Sequence, residues 1–351
     1  MAAMRVRAMI GAALVAFVAL PALALVASAD EDPPLQPAVA GPPLRPPLTV
    51  LRAVDRAPAA PATATIDRPT KELIVLVGGY ASEDDPRLFD AFRARAAREG
   101  GYDVLRFGRD LGSYDTLGAV DANAVQLRDS VRSVSPNYGG VHIVTHSMGG
   151  NVADRAFALG LSASDGVTSY VAWAAPHDGA HAAQAAQAWL AVSGPAHADA
   201  RAVATTYLRD PDSPAVRDMA RLRAPAPPPG VVRLDLRLAT DGLVSSADAR
   251  DPGTPSRILL PASVAELEGH GGILESREAF DLTMATIKAK TVPPDQRGVA
   301  LRAASDVMAK TVDDKAQVVL SGICFLCLVG GITVFVRRTL RSVLPLPPLT
   351  E

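Results

Sequence analysis

Cysteine is nearly absent from this chain. The 351 residues include only Cys324 and Cys327, both inside one apolar run near the C-terminus. The remainder can therefore build neither a disulfide framework nor a thiolate metal site. A Cys-x-x-Cys pair within such a run reads as small apolar helix residues rather than as a redox motif. An excess of charge is missing too. The formal net charge is −2, and no basic stripe carries interleaved aromatics, so a nucleic-acid surface has no support. Internal repeats are also lacking, which excludes solenoid and propeller arrays.

Long apolar runs are confined to the two ends. Arg5 and Arg7 precede an apolar stretch from Ala8 to Val26, and Ala27-Ser28-Ala29 reads as a small-residue cleavage site. Residues 1–29 are thus expected to be a signal peptide, with an uncleaved N-terminal anchor as the rival reading. At the other end, Val318 to Val336 is apolar over about the length that crosses a bilayer. Arg337, Arg338 and Arg341 follow it, which places the tail in the cytoplasm and argues against a GPI-anchor signal. The N-terminal arginines place the start there as well. The middle of the chain is therefore expected outside the membrane, in a single-pass protein, or a two-pass one if the first segment is retained.

The expected organisation runs from the signal or anchor at 1–29 through a Pro/Ala-rich linker at 30–69 to a folded domain at 70–290. A juxtamembrane stalk at 291–315, a transmembrane helix at 316–336 and a cytoplasmic tail at 337–351 complete it. Within 70–290, strand and helix signals alternate. Glu72 to Val77, Tyr102 to Phe107, Val141 to Thr145, Tyr170 to Ala174, Val231 to Leu238 and Arg257 to Leu260 read as strands. Asp85-Pro86 reads as a helix start with Leu88, Phe89, Phe92 and Ala96 on one face. Ala124, Leu127, Val131 and Val134 mark a second helix, Val152, Ala156 and Leu159 a third, and Phe280, Met284 and Ile287 a last one. Such alternation implies a mostly parallel sheet with helices on both faces. The segment from about 181 to 230 breaks the rhythm and reads as an insertion, a cap beside the site.

Three residues stand out for chemistry. Ser147 sits in Thr145-His-Ser-Met-Gly-Gly150, where a β-branched run turns at once into a helical pattern. That is the context of a nucleophile held on a strained strand-to-helix turn. A serine hydroxyl needs a base to take its proton, and the base needs an orienting acid. Asp241 follows the strand ending at Leu238, and His270 lies in Glu268-Gly-His-Gly-Gly272 after the next strand. Asp178, after the strand that follows the elbow, is the alternative acid. His142 and His146 read as structural. His177 and His181, four apart in a loop and without a carboxylate partner, do not suggest zinc. His197 reads as a surface residue of the cap.

From about Glu72 to Lys290 the chain resembles an α/β-hydrolase of the lipase/esterase type. The elbow is similar to that of triacylglycerol lipases and GPI inositol-deacylase-like proteins. Ala174-Ala-Pro-His-Asp-Gly179 resembles the Pro-His-x-Gly segment common after the next strand in that family. The resemblance implies Ser147 as nucleophile, Asp241 as acid and His270 as general base. Gly78-Gly79-Tyr80 occupies the place of the family's His-Gly-x turn, so the Tyr80 and Met148 amides would form the oxyanion hole, with the Tyr80 ring lining the acyl pocket. Gly149 and Gly150 complete the elbow. Gly78 replaces the usual histidine of that turn, and Thr145 the usual first glycine of the elbow.

The activity so implied is cleavage of carboxylic esters through an acyl-enzyme, on an ester or lipid substrate, at a membrane. It needs no metal and no organic cofactor, and no obligate protein partner is evident. An acyltransferase or thioesterase on the same triad, and a non-catalytic binding protein of the same fold, are the competing readings.

Overall fold

The computed structural model describes residues 70–317, apart from 186, 188–208, 224–227, 246, 247, 250 and 252. The signal or anchor segment, the linker, most of the insertion with His197, the transmembrane segment with Cys324 and Cys327, and the tail lie outside the described residues.

Six strands form one sheet: β1 (Glu72–Val77), β2 (Tyr102–Arg106), β3 (Val141–His146), β4 (Val167–Trp173), β5 (Val232–Leu238) and β6 (Ser256–Leu259). Their order is β2-β1-β3-β4-β5-β6, and every pairing is parallel. Parallel strands are covered on both faces, which is why β1 reads as an unbroken apolar run. Alternate side chains of β1 enter opposite layers. Leu73, Val75 and Val77 pack with α2 (Val120–Val134) and α3 (Met148–Ala158). Ile74 and Leu76 pack with α1 (Asp90–Glu99) and α5 (Arg277–Ala289), where Phe92 lies edge-on to Trp173 at 5.6 Å and to Phe280 at 5.1 Å.

Several elements depart from the sequence expectation. The first helix begins at Asp90 rather than beside Pro86. Asp85 uses its carboxylate to accept from the Arg87 amide at 2.9 Å, and Phe89 adopts φ 69°, so residues 86–89 turn without helix. Leu88 and Phe89 are buried all the same. The described end of the insertion is core: α4 (Pro214–Met219) buries Ala215, Val216 and Met219 against the α2–α3 layer. Asp218 there accepts from the Val120 amide at 2.8 Å. Residues 299–317, most of which were expected in a partly helical stalk, are helical as expected but docked on the domain. Asp313 pairs with Arg237 at 3.1 Å, and Val312 approaches within 3.5 Å of the position a β-carbon on Gly242 would take.

A buried charged cluster joins α3 to β5. Arg233 pairs with Asp154 at 3.2 Å, Asp235 at 3.4 Å and Asp251 at 2.7 Å, and His177 pairs with Asp154 at 2.7 Å. Burial alone would lower the His177 pKa, but the Asp154 and Asp235 carboxylates outweigh it and raise the group to about 9. Protonated His177 therefore stabilises the fold fully below about pH 6.5, the value expected for an unfolded histidine, and that contribution fades as pH rises through the folded value. Thermal denaturation between pH 6 and 10 is expected to lose on the order of 3 kcal/mol from this group in the wild type. The same series in His177→Gln should show a flatter alkaline limb. Equal slopes would mean that His177 does not titrate there.

Candidate active site

Register brings the functional loops to one edge. Val77 pairs with Thr145, His146 with Trp173, Trp173 with Leu236, and Leu238 with Leu259. The strands thus end level, and the turns after β1, β3, β4, β5 and β6 emerge together at the carboxyl edge, where open α/β sheets bind ligands.

Ser147 occupies the turn between β3 and α3 with φ 56° and ψ −132°, a conformation L-residues rarely adopt. Its amide donates to the Trp173 carbonyl at 2.9 Å, which ties the turn to the end of β4. The residues after it must be small. A β-carbon on Gly149 would lie 2.4 Å from the Val77 carbonyl oxygen, and one on Gly150 would lie 2.2 Å from the Ala175 β-carbon. Gly79 matters for the same reason, because a β-carbon there would lie 2.7 Å from that of Ser147. The Gly78-Gly79-Tyr80 turn is thereby pressed against the serine. Thr145, where a glycine was the family expectation, is an interior residue of β3 beside Val77 and Ala172.

The Tyr80 amide makes no main-chain hydrogen bond among the described residues, and Met148 opens α3, where helix amides have no partner within the helix. Both donors are in the right loops for an oxyanion hole. The Tyr80 hydroxyl donates to the Asp210 carbonyl at 2.9 Å and accepts from the Asp210 amide at 2.8 Å, fastening the turn to the insertion.

Asp241 and His270 are brought together, with His270 Nδ1 2.9 Å from Asp241 Oδ2. Nδ1–H donating to the carboxylate leaves Nε2 as the basic nitrogen, the tautomer a general base needs. Asp241 is fully buried, and its other oxygen accepts from the Leu243 and Val244 amides, each at 3.0 Å. Burial would raise its pKa, but the His270 charge and these hydrogen bonds hold it below the ordinary carboxylate value. His270 lies in a 3₁₀ segment, Glu266–Glu275, rather than in an open loop. The segment breaks at Gly269, whose φ of 74°, with the 2.6 Å that would separate a β-carbon there from the Thr240 carbonyl oxygen, admits only glycine.

Ser147 and His270 are not hydrogen-bonded to each other; His270 Nε2 is buried without a partner among the described residues. Apo enzymes commonly close this contact only with substrate in place. What joins the two loops is His146. Its Nε2–H donates to the His270 carbonyl at 3.0 Å, and the two rings lie 4.8 Å apart. Burial, with the neighbouring His270, lowers the His146 pKa to about 3, so this imidazole is neutral and serves as a fixed donor. Sequence reasoning gave His146 only a structural role. Its position beside the nucleophile was visible, but its partner, more than a hundred residues away, was not.

Asp178 forms no ion pair with His270. It pairs with Arg223 at 2.9 Å, and both side chains are more than half exposed. His142 is a buried strand residue on Ser169 at 2.8 Å. The expectation that His177 and His181 lack carboxylate partners is corrected: His177 has Asp154, and His181 has the buried Asp248. Among the described residues no group of three or more side chains is disposed to hold a metal ion.

The sheet, the elbow and the Ser–Asp–His chain order fit the α/β-hydrolase fold of the lipase and esterase type. No protein-family model and no curated protein matches the chain. Among solved structures, it is similar over 64% of its length to 95% of a mature Bacillus licheniformis lipase, at 17% identity and a TM-score of 0.44. An Aspergillus fumigatus lipase matches 76% of the chain at 15% identity and a TM-score of 0.44, and the chain spans 64% of that protein. A metagenomic carboxyl esterase matches 63% of the chain over 76% of its own length, at 20% identity and a TM-score of 0.42.

If Asp241 orients His270, Asp241→Asn should slow fluorophosphonate labelling of Ser147 by about a thousandfold or more. Asp178→Asn, on an exposed ion pair, should change it no more than a few-fold. Equal effects of the two would reassign the acid.

Proposed function

We propose that this chain is a membrane-anchored, extracytoplasmic serine hydrolase of carboxylic esters. The observation that carries the reading is a serine on a strained strand-to-helix turn at the same sheet edge as a buried aspartate–histidine pair. Ser147 Oγ attacks the acyl carbonyl while its proton passes to His270 Nε2. Asp241 stabilises the imidazolium so formed. The Tyr80 and Met148 amides donate to the tetrahedral oxyanion. Collapse expels the alcohol, which takes the proton from His270 and leaves acyl-Ser147. Water then attacks with His270 as base, releasing the carboxylic acid and restoring the serine.

Two features support a lipidic substrate at a bilayer. Leu243, Val264 and Leu267 are left exposed on the loops that carry Asp241 and His270, the kind of apolar surface that marks lipid or partner contact when clustered. Helix 299–317 ends against the Asp241 loop, with Ala316 4.0 Å from the place a β-carbon on Gly242 would take. The expected bilayer-crossing stretch begins directly after it, so the carboxyl edge would face the membrane. No helix among the described residues is itself long and apolar enough to cross one.

Ester hydrolysis across a series of acyl chain lengths is expected in the wild type and should fall about a thousandfold or more in Ser147→Ala, with loss of fluorophosphonate labelling. Retained turnover in Ser147→Ala would overturn the mechanism. Product analysis with an alcohol acceptor present separates hydrolysis from acyl transfer.

A further inference from the structure

A second feature at the carboxyl edge is not used by this chemistry. A cavity of about 380 Å³ opens beside the ends of β1 and β2. Ser82 and Glu83, from the segment after the Gly78–Tyr80 turn, are among its lining residues. Arg106, Arg109, Tyr114 and Thr116 line it too, beside the less polar Pro86, Phe107 and Gly108.

Arg106 is 5% exposed. It pairs with Leu76 in the sheet, two residues before Gly78. Its terminal amino groups donate to the Asp85 carbonyl at 2.6 Å and the Ser82 carbonyl at 2.5 Å. It makes no ion pair among the described residues; Asp85 and Asp110 act on it at longer range, and Arg109 opposes them. Burial first, then the like charge of Arg109, lowers its pKa. A guanidinium has five donors, and a buried charge without a close counter-charge is costly. Thr116 is 2% exposed, and its hydroxyl has no hydrogen-bond partner among the described residues. Arg109 is exposed at the mouth. Glu83, the acid on the lining, is engaged by Arg209 at 2.9 Å. The cavity therefore offers positive charge and spare donors, with its own carboxylate held in an ion pair.

We propose that this cavity is an oxyanion-binding subsite for a carboxylate or phosphate group, held by Arg106, Thr116 and Arg109. It lies across one turn from the nucleophile. Gly79 is packed on Ser147, while the carbonyl of Gly78 accepts from the Tyr114 hydroxyl of the cavity wall at 2.8 Å. The substrate is then an ester bearing an acidic group close to the scissile carbonyl, an assignment that rests on Ser147 being the nucleophile.

Two measurements on the full chain in detergent test this. The first is inorganic phosphate binding by titration calorimetry, which does not depend on catalysis. The second is the ratio of kcat/KM for the mono-p-nitrophenyl ester of glutaric acid over that for p-nitrophenyl butyrate. Arg106→Gln would release the Ser82–Asp85 segment, so the informative variants are Arg109→Gln and Thr116→Val, checked by thermal denaturation. Arg109→Gln is expected to weaken phosphate binding, or to lower the ester ratio, by about tenfold, the size of one charge-assisted hydrogen bond, and Thr116→Val by a smaller factor. A change in the ester ratio assigns the subsite to substrate. Weakened phosphate binding with an unchanged ratio assigns it to a free anion. The proposal is overturned if the wild type binds no phosphate saturably and the ester ratio is the same in wild type and variants. Failure of ester turnover altogether would overturn the hydrolase reading and leave the phosphate measurement to decide the cavity.

Discussion

The site depends on one strained residue. A non-glycine residue held at φ 56° costs about 1–3 kcal/mol and persists only where its surroundings over-determine it. Here β3 fixes the chain before Ser147, the Trp173 carbonyl fixes its amide, and α3 fixes the chain after it. The close approach of Gly149 to the end of β1 and of Gly150 to Ala175 locks the helix against the strands it follows. Substitution of either glycine would therefore move Ser147 as well as the helix. The Gly78–Tyr80 turn shares the same constraint, because Gly79 packs directly on the serine.

Much of this was legible in the sequence, for reasons that can be traced to particular segments. β1 and β3 are β-branched runs covered on both faces, and their composition alone marks them as interior parallel strands. Ser147 could be found because its turn demands small neighbours at fixed offsets, and Asp241 and His270 because each follows a strand. Boundaries failed where a side chain competed with the helix, as Asp85 does by capping a turn at Arg87. The docking of 299–317 was invisible because it rests on Arg237 meeting Asp313 across a long stretch of chain.

The histidines show the same limit more sharply. Four of them have an acidic partner in space: His142 with Glu72, His177 with Asp154, His181 with Asp248 and His270 with Asp241. Local pattern gave a functional reading to His270 alone, since only it follows the last strand in a glycine-rich segment. Environment then separates their chemistry. His177 is kept charged by the Asp154 and Asp235 carboxylates in a buried cluster that they share with Arg233, where it braces α3. His146 is kept neutral by burial, and its use is to hold the backbone that carries His270. His270 has one carboxylate on Nδ1 and an unoccupied Nε2, which is the arrangement that can both accept and return a proton.

The carboxyl edge is also asymmetric about Ser147. On the β2 side lie Arg106, Arg109 and a Thr116 hydroxyl that has no hydrogen-bond partner among the described residues, around a cavity; on the β5–β6 side lie exposed Leu243, Val264 and Leu267. A molecule laid across the serine would meet positive charge at one end and apolar surface at the other. On the proposed chemistry, that polarity would suit an amphiphile in which an acidic group and a hydrocarbon part flank the ester. Neither side alone implies this, because a basic cavity would equally suit a small acid, and an apolar rim any neutral lipid. For a hydrolase acting as proposed, the two sides would favour an orientation with the acid end beside the Gly78–Tyr80 turn and the acyl carbonyl between Ser147 and the amides of Tyr80 and Met148.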